Sequence, residues 1–571
     1  MKRRLVRVSE KKWLSHYPDQ IPASLPYEKR TLPSYLAEAS RTCPAKPALY
    51  FMGKTMTYKE LYNEAVRLAN QLEALGVQQG DRVAIMLPNT PQAVICYYGS
   101  LLAGAVVVQT NPLYVEKEIE HQLHDSGAKV MICLDILFPR VERIWKQSPL
   151  EQVIVTSIKD YLPFPKRILY PLVQKKKGAG KASIPYTDYT HRFTNLLENA
   201  DLRLPDVSVD PEKDLALLQY TGGTTGPAKG VMLTHYNLVA NTIQAGAWMY
   251  RMREGEETTL AALPFFHVYG MTVVMNFSIM YQAKMIILPK FSPIPALKAI
   301  HKHRVTLFPG TPTMYIGLIH EPSLRNYKVS SIKACLSGSA PLPLEVQERF
   351  EALSGGRLVE GYGLTETSPV VISSPIWGKR KQGSIGLPWP DTEVSVLSPK
   401  TGEPAASGEI GEIMVKGPQV MKGYWNQPEE TASVFQDGWL LTGDMGYQDE
   451  DGYFYIVDRK KDMIIAGGFN IYPREIEEVL YEHAAIQEAA VIGIPDHYRG
   501  ETVKAFIVLK ENQRLSAEEV EMFCRKHLAA YKVPTHYEFK QELPKTMVGK
   551  VLRRVLAEEE MRKAEDEETA R

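Results

Sequence analysis

From Tyr220 to Gly230 the chain reads Tyr-Thr-Gly-Gly-Thr-Thr-Gly-Pro-Ala-Lys-Gly, with three threonines and four glycines around one lysine. Glycines let successive backbone N–H groups converge on phosphate oxygens, the threonine hydroxyls add donors, and Lys229 adds a positive charge. The segment follows the apolar run Leu215 to Leu218 and precedes a helix-like stretch that starts near Thr234, as a phosphate-binding loop would. It departs from the Walker A pattern, which requires Gly-Lys-Ser/Thr: Pro227 and Ala228 separate Gly226 from Lys229, and Gly230 follows the lysine. A simple P-loop NTPase is therefore disfavoured. A flexible Gly/Thr linker accounts less well for so dense a pairing of glycine with threonine.

Five more blocks follow in order: Ser337-Gly338-Ser339-Ala340-Pro341, Gly361-Tyr362-Gly363-Leu364-Thr365-Glu366-Thr367, Leu441-Thr442-Gly443-Asp444, Asp458-Arg459-Lys460-Lys461-Asp462, and Pro544-Lys545-Thr546-Met547-Val548-Gly549-Lys550. With the loop, and over roughly Pro47 to Arg554, they resemble the signatures of the adenylate-forming superfamily, which includes acyl-CoA synthetases, luciferases and the adenylation domains of peptide synthetases. The resemblance implies ATP or AMP contacts from Thr221, Gly222, Gly223, Thr224, Thr225, Gly226 and Lys229. It adds Gly338, Ser339 and Ala340 as an adenine wall, then Gly361, Tyr362, Gly363 and Thr365, and finally Asp444, Arg459 and Lys461.

Each residue type suits its place. Tyr362, read as part of a flexible Gly-Tyr-Gly turn, offers an aromatic face to a purine. Glu366 is a hard oxygen ligand for Mg²⁺ bridging phosphates, and the Thr221 hydroxyl is the implied second metal contact. Asp444 can accept hydrogen bonds from both ribose hydroxyls, and Arg459 can brace ribose or phosphate; alone, Asp444 could equally be a turn residue after Gly443. Lys550 matches the family's catalytic lysine: a carboxylate approaching an α-phosphate brings two anions together, and a cation touching both lowers that barrier. Lys550, Glu366 and Thr221 are the catalytic candidates.

In the family's second half-reaction a thiol attacks the acyl-adenylate and AMP leaves, after the small C-terminal domain rotates about a hinge. The hinge matches Asp458, and rotation would replace Lys550 by the face of Ala466-Gly467-Gly468-Phe469-Asn470, where Gly467 and Gly468 allow close passage of a pantetheine arm. Pro264 to Met271 resembles the segment lining the acyl tunnel, with His267 beside the carboxylate and thiol route and Met271 at the tunnel gate; read alone, it is also an ordinary apolar core segment with one satisfied histidine. The block Asp437 to Pro473 is similar to that of bacterial long- or medium-chain fatty acid–CoA ligases. The implied activity is ligation of a fatty acid to coenzyme A through an acyl-adenylate, with ATP and Mg²⁺ as cofactors and CoA as co-substrate. Two alternatives stand beside it: an acyl-AMP ligase loading a carrier protein, and a membrane-surface fatty acid uptake or binding protein.

These residues need a scaffold, and the chain alternates short apolar runs with amphipathic stretches. Arg82 to Leu87, Ala105 to Gln109, Val130 to Leu134, Gln152 to Thr156 and Met285 to Leu288 are strand-like, and Tyr58 to Leu75 is helical in pattern. This predicts an α/β fold with helix-flanked parallel sheets. From about Gly383 a Gly- and Pro-punctuated texture suggests a small β-barrel or antiparallel sheet. After Asp458, a helix from Pro473 to His483 and a strand from Ala505 to Leu509 suggest an α+β unit. The expected division is a large N-terminal domain of two helix-flanked sheets, 1–458, whose β-rich part is 383–458, and a small mobile C-terminal domain, 459–571.

A length of 571 residues requires more than one hydrophobic core, and a net charge of +1 argues against a dedicated nucleic-acid binder. The five cysteines are scattered, with no C-x-x-C pair, so neither a disulfide framework nor a thiolate metal site is suggested. No secretory signal or membrane span is expected: the basic start runs into Ser9-Glu10-Lys11-Lys12, and the long uncharged stretch Val83 to Val115 is broken by Pro88, Pro91 and Pro112 into strand, buried helix and strand. Tyr161 to Thr187 holds six Lys or Arg and no acid, interleaved with apolar residues. It reads either as a dock for anionic lipid or as a solvated surface insertion. Ala557 to Arg571 reads as a frayed helix or disorder. The expected partners are fatty acid, ATP and CoA, an anionic membrane through 161–187, and a second copy in a homodimer. The expected setting is the cytoplasm, with the inner membrane face within reach.

Overall fold

A computed structural model describes residues 11–170, 184–198, 200–221, 228–466, 469–496, 498–546 and 549–569. The five strand-like runs all form strands. An eight-stranded sheet runs in the order Gly423–Tyr424, Lys229–Thr234, Leu215–Thr221, Val106–Gln109, Arg82–Met86, Val130–Leu134, Gln152–Thr156, Thr190–Arg192. From Leu215–Thr221 onward every pairing in this order is parallel; the first two are antiparallel.

A second sheet joins Thr258–Ala261 and Lys284–Ile287 to Pro47–Phe51 and Lys54–Thr57. Leu307 bridges Thr259 on one side and Ala334 on the other, linking this sheet to the one built from Ala334–Ser337, Arg357–Gly363, Val370–Ser373 and Leu387–Pro388. Strands that are buried on both faces read as continuous apolar runs, which explains Val-Val-Val at 106–108 and Val-Met-Ile-Cys-Leu at 130–134.

The helices carry the signals that make them. Tyr58–Ala74 opens on a capping box in which Glu60 N–H donates to Thr57 Oγ1 at 3.2 Å and Thr57 N–H donates to Glu60 Oε2 at 2.7 Å. Its Leu61, Ala65, Leu68, Ala69 and Leu72 fall on one stripe and are buried. Pro91–Leu102 is buried on every side, so Val83 to Val115 is indeed strand, helix and strand. No helix among the described residues is long and apolar enough to cross a membrane.

Of the two forms suggested for the β-rich part, the pairings draw a sheet: Glu393–Leu397, Gly411–Lys416, Phe435–Gln436, Trp439–Gln448 and Phe454–Arg459, all antiparallel, with Trp439–Gln448 at the centre. One continuous core runs from Trp13 to Phe454. Beyond it a five-stranded sheet carries a separate core on each face. Helices Pro473–Tyr481 and Ala517–His527 supply Ile476, Leu480, Val520 and Cys524 to one, and helix Arg553–Thr569 supplies Leu556 to the other. The tail expected to fray is therefore helical through Thr569, anchored by Leu556.

The helix expected from about Thr234 is His235–Trp248, with Thr234 as its N-cap. Before it lies a strand the sequence did not announce, Lys229–Thr234, antiparallel to Leu215–Thr221 with Tyr220 opposite Gly230 and Thr221 opposite Lys229. One local expectation needs correction. Tyr362 lies not in a flexible turn but in the strand Arg357–Gly363, paired with Ile372. A side chain at Gly363 would strike the carbonyl of Pro369 at 1.9 Å, so that glycine serves close backbone approach.

Candidate functional site

The central acid is Asp444, on Trp439–Gln448 and almost fully buried. Tyr362 donates its hydroxyl to Asp444 Oδ2 at 2.7 Å, Arg459 Nε stands 3.4 Å from Oδ1, and the Asp444 N–H donates to Thr442 Oγ1 at 3.1 Å. Arg459 is placed by the sheet, since it pairs with Asp444 across the two strands. The long β-hairpin thereby fixes a carboxylate, a guanidinium and an aromatic ring in one corner.

Lys550 enters that corner from the far end of the sequence. The turn Thr546–Lys550 is closed by Thr546 N–H to Lys550 O at 2.8 Å and Lys550 N–H to Thr546 Oγ1 at 3.1 Å. Gly549 within it has φ +79°, and a side chain there would meet Thr313 Oγ1 at 2.9 Å. The glycine lets the turn seat directly on helix Pro312–Ile319 of the large unit.

Desolvation pulls the Lys550 ammonium down to about 7, helped by Arg459 and Lys461 and opposed by Asp444 and Asp462. Lys461 is lowered in the same way, by burial, then Arg459, with Lys229 adding to the effect. Cations from the loop hairpin, the central hairpin and the C-terminal unit therefore converge on Lys461 and Lys550, a field suited to a polyanion. His267 is held near 4 by burial and by Lys550, so it is neutral at ordinary pH; its Nδ1 accepts from Tyr269 N–H at 3.2 Å.

The turn expected as an adenine wall packs against this segment. Gly338 lies so close to Tyr269 that a side chain would approach the ring at 3.1 Å, and Tyr269 donates its hydroxyl to Leu336 O at 2.7 Å. Ser339 has φ +72°, turning the chain between Gly338 and Ala340. Met271 is fully buried and opens a π-helical turn, Met271–Asn276. Such turns recur at functional sites.

Glu366 sits in the short helical turn Thr365–Thr367 after strand Arg357–Gly363. Its Oε1 accepts from the Tyr424 hydroxyl at 2.8 Å, and its backbone carbonyl accepts from Met421 N–H at 2.8 Å. Lys229 lies 5.0 Å from the centre of the same Tyr424 ring and is ion-paired with Glu430. A cavity of about 220 Å³ opens beside Glu366, walled by Tyr424, Thr442, Gly443 and the Glu412–Lys460 pair. Leu364, Val434, Leu440 and Leu441 also wall it, so polar and apolar groups share it. Gly222, Gly223, Thr224, Thr225 and Gly226 lie outside the described residues, as do Gly467 and Gly468.

The sequence reading overlooked Tyr424 and Glu430, which hold the expected metal carboxylate and the loop lysine to one tyrosine. Gly423-Tyr424-Trp425-Asn426 carries a usable signal: paired aromatics after a glycine, in a polar stretch. It also overlooked Arg553, which grips Asp458, Asp462 and Glu477.

With this geometry the chain can be set beside known proteins. The 58% identical long-chain-fatty-acid–CoA ligase of Bacillus subtilis (strain 168) aligns over 97% of this chain and 98% of its own length. Among solved structures, ATP-bound MatB from Rhodopseudomonas palustris is 31% identical with a TM-score of 0.81, covering 93% of this chain and 99% of that one. The apo form of MatB superposes less well, at 32% identity and a TM-score of 0.71 over 92% and 98%. Residues 36–425 match the model of the AMP-binding enzymes and 475–550 that of the AMP-binding enzyme C-terminal domain, and the chain belongs to that family.

Proposed function

We infer that this protein is a long-chain fatty acid–CoA ligase: it activates a fatty acid as its AMP ester with release of pyrophosphate, then transfers the acyl group to coenzyme A. The observation that carries the reading is the meeting of Lys550, Arg459 and Lys461 around the buried Asp444, joined to the 58% identity with the Bacillus ligase.

In this reading Asp444 receives the ribose hydroxyls, and Tyr362, steadied at its hydroxyl by Asp444, presents its ring to the adenine beside Gly338, Ser339 and Ala340. The loop and Lys229 hold the outer phosphates. Lys550 lies between the incoming carboxylate and the α-phosphate, where a cation offsets charge that accumulates as the new oxygen–phosphorus bond forms and pyrophosphate departs. Neutral His267 borders the carboxylate without adding a competing charge.

Glu366 and Thr221 supply hard oxygens for Mg²⁺, which neutralises phosphate charge when bound. The donor set fits: one carboxylate oxygen of Glu366 is braced by Tyr424, and substrate phosphates and water would complete the shell of a hard cation that keeps several waters. We place the hinge at Asp458 and read the present arrangement, with Lys550 in the site, as the adenylating one. The closer superposition on ATP-bound than on apo MatB supports it. Rotation would then bring the segment around Gly467 and Gly468 to the site for thiol transfer.

Peripheral membrane contact has its own support. Phe164 is 80% exposed, Ile168 65% and Leu169 50%, next to Lys166 and Arg167. The remainder of the basic segment, 171–183, lies outside the described residues.

The function is tested by pyrophosphate release over fatty acids of graded length, with and without CoA; thioester on a carrier phosphopantetheine but not on CoA would favour the carrier-loading alternative. Lys550→Ala is expected to slow acyl-adenylate formation by about 10²–10³-fold while sparing thioester formation from supplied acyl-AMP.

Because burial, Arg459 and Lys461 hold Lys550 near 7, at pH 8 it is mostly neutral, and an arriving polyanion raises its pKa. ATP binding at pH 8 should therefore take up close to one proton. The uptake should fade as pH falls well below 7, where the lysine is already charged, and be absent in Lys550→Ala; calorimetry in buffers of different ionisation enthalpy measures it. Glu366→Ala is expected to raise the Mg²⁺ concentration needed for half-maximal adenylation, and an unchanged requirement would remove it from the metal site. Removal of 161–187 should reduce sedimentation with anionic, but not neutral, vesicles.

A further inference from the structure

Asp458 belongs to two parts of the molecule at once. Its backbone lies in the strand Phe454–Arg459 and pairs with Met445 of the large unit's sheet. Its carboxylate, 2% exposed, faces the C-terminal unit: Oδ2 accepts from Arg474 N–H at 2.6 Å, in the first turn of helix Pro473–Tyr481, and Oδ1 accepts from Arg553 Nη1 at 3.3 Å and from its neighbour Arg459 N–H at 2.7 Å. After Arg459 one more backbone bond, Lys460 N–H to Gly443 O at 2.9 Å, ties the chain to the large unit's hairpin before it enters the smaller unit.

Arg553 is the third residue after Lys550. Besides Asp458 it donates from Nη1 to Asp462 Oδ2 at 3.0 Å, and it grips Glu477 through Nε at 3.2 Å and Nη2 at 2.6 Å. Burial pushes the carboxyls of Asp458 and Glu477 up, and the Arg553 guanidinium opposes that rise at both.

The partners differ in what a rotation would do to them. Glu477 and Asp462 lie beyond the joint and move with Arg553. Asp458 does not: a turn about any bond after its Cα carries Arg474 and Arg553 away from its carboxylate, and a turn before it breaks the pairing with Met445. Because Arg553 keeps two carboxylates when it lets the third go, release does not strand a buried charge on the arginine. Such a contact is bistable, closed in one orientation and affordable in the other.

We propose that Arg553 is a positioning residue that latches the C-terminal unit to Asp458 in the orientation that seats Lys550 in the site, and so favours adenylation over thiol transfer. The latch rests on the reading of Lys550 and Asp458 given above. Arg553 touches neither substrate nor reacting atoms; it acts on which orientation is occupied.

The test measures the two half-reactions separately in the full-length protein: pyrophosphate release with fatty acid and ATP, and thioester formation from supplied acyl-AMP and CoA. Arg553→Met is expected to slow the first by about tenfold and to leave the second unchanged or faster, with Arg553→Lys recovering part of the loss. Should Arg553→Met fail to fold, Asp458→Asn removes the same latch and leaves Arg553 its other partners; it should show the same selective loss. Equal losses in both half-reactions, or no loss in the first, overturn the latch. Lys550→Ala run in parallel separates the two failures: if it too impairs both steps equally, the assignment of Lys550 falls, whereas if it impairs only the first while the latch variants impair both or neither, the latch alone falls.

Discussion

Lys550 is withdrawn from water beside Arg459 and Lys461, and Lys461 in turn feels Lys229, while Asp444 and Asp462 act on both lysines and Asp444 also faces Arg459. Holding a lysine well below its ordinary range costs a few kcal/mol for the charged form. The fold sustains that cost because each cation is fixed by a different part of the chain: Arg459 by strand pairing, Lys229 by a hairpin, Lys550 by a turn that fits only because residue 549 is glycine. A triphosphate and a carboxylate are the charges such a field lacks. The site is thus preorganised for anions, and its electrostatics strengthen when substrate arrives.

That arrangement depends on strands more than on helix ends. In many phosphate sites a glycine-rich loop leads into a helix N-terminus, and the dipole does much of the work. Here the strands on either side of the loop, Leu215–Thr221 and Lys229–Thr234, pair with each other, and Lys229 at the start of the second sits within reach of Glu430 and the Tyr424 ring. Tyr424 also braces Glu366. Two groups the sequence places far apart are thereby held to one side chain, which belongs to a two-residue strand, Gly423–Tyr424, added at the edge of the eight-stranded sheet.

Much of the framework could be read before any coordinates. Each of the five apolar runs became a strand, because a strand buried on both faces must be continuously apolar. Tyr58–Ala74 announced itself by its cap and its stripe. What stayed hidden or misread was what only long-range pairing could decide. Lys-Gly-Val-Met-Leu-Thr at 229–234 is too short and mixed to proclaim a strand, and it is one because Leu215–Thr221 and Gly423–Tyr424 flank it. Gly-Tyr-Gly at 361–363 has the composition of a turn, yet pairing with Val370–Ser373 extends it and aims Tyr362 at Asp444. Arg553 gave no local sign at all, since its three carboxylates lie 76 to 95 positions away in the chain.

By itself, then, the sequence determined the chemical inventory and the family: a glycine- and threonine-rich loop with one lysine, then a glutamate, an aspartate and a late lysine, in an order whose resemblance reaches across nearly the whole chain. Those signals are local in residue type and spacing, so they survive without a fold. Only the tertiary structure decided which charges meet: that Lys550 and His267 share a wall, that Tyr362 donates to Asp444, and that Arg553 spans the joint at Asp458. Electrostatic coupling falls off within a few ångströms of contact in a partly desolvated site, and such proximity is set by packing and strand register rather than by position along the chain.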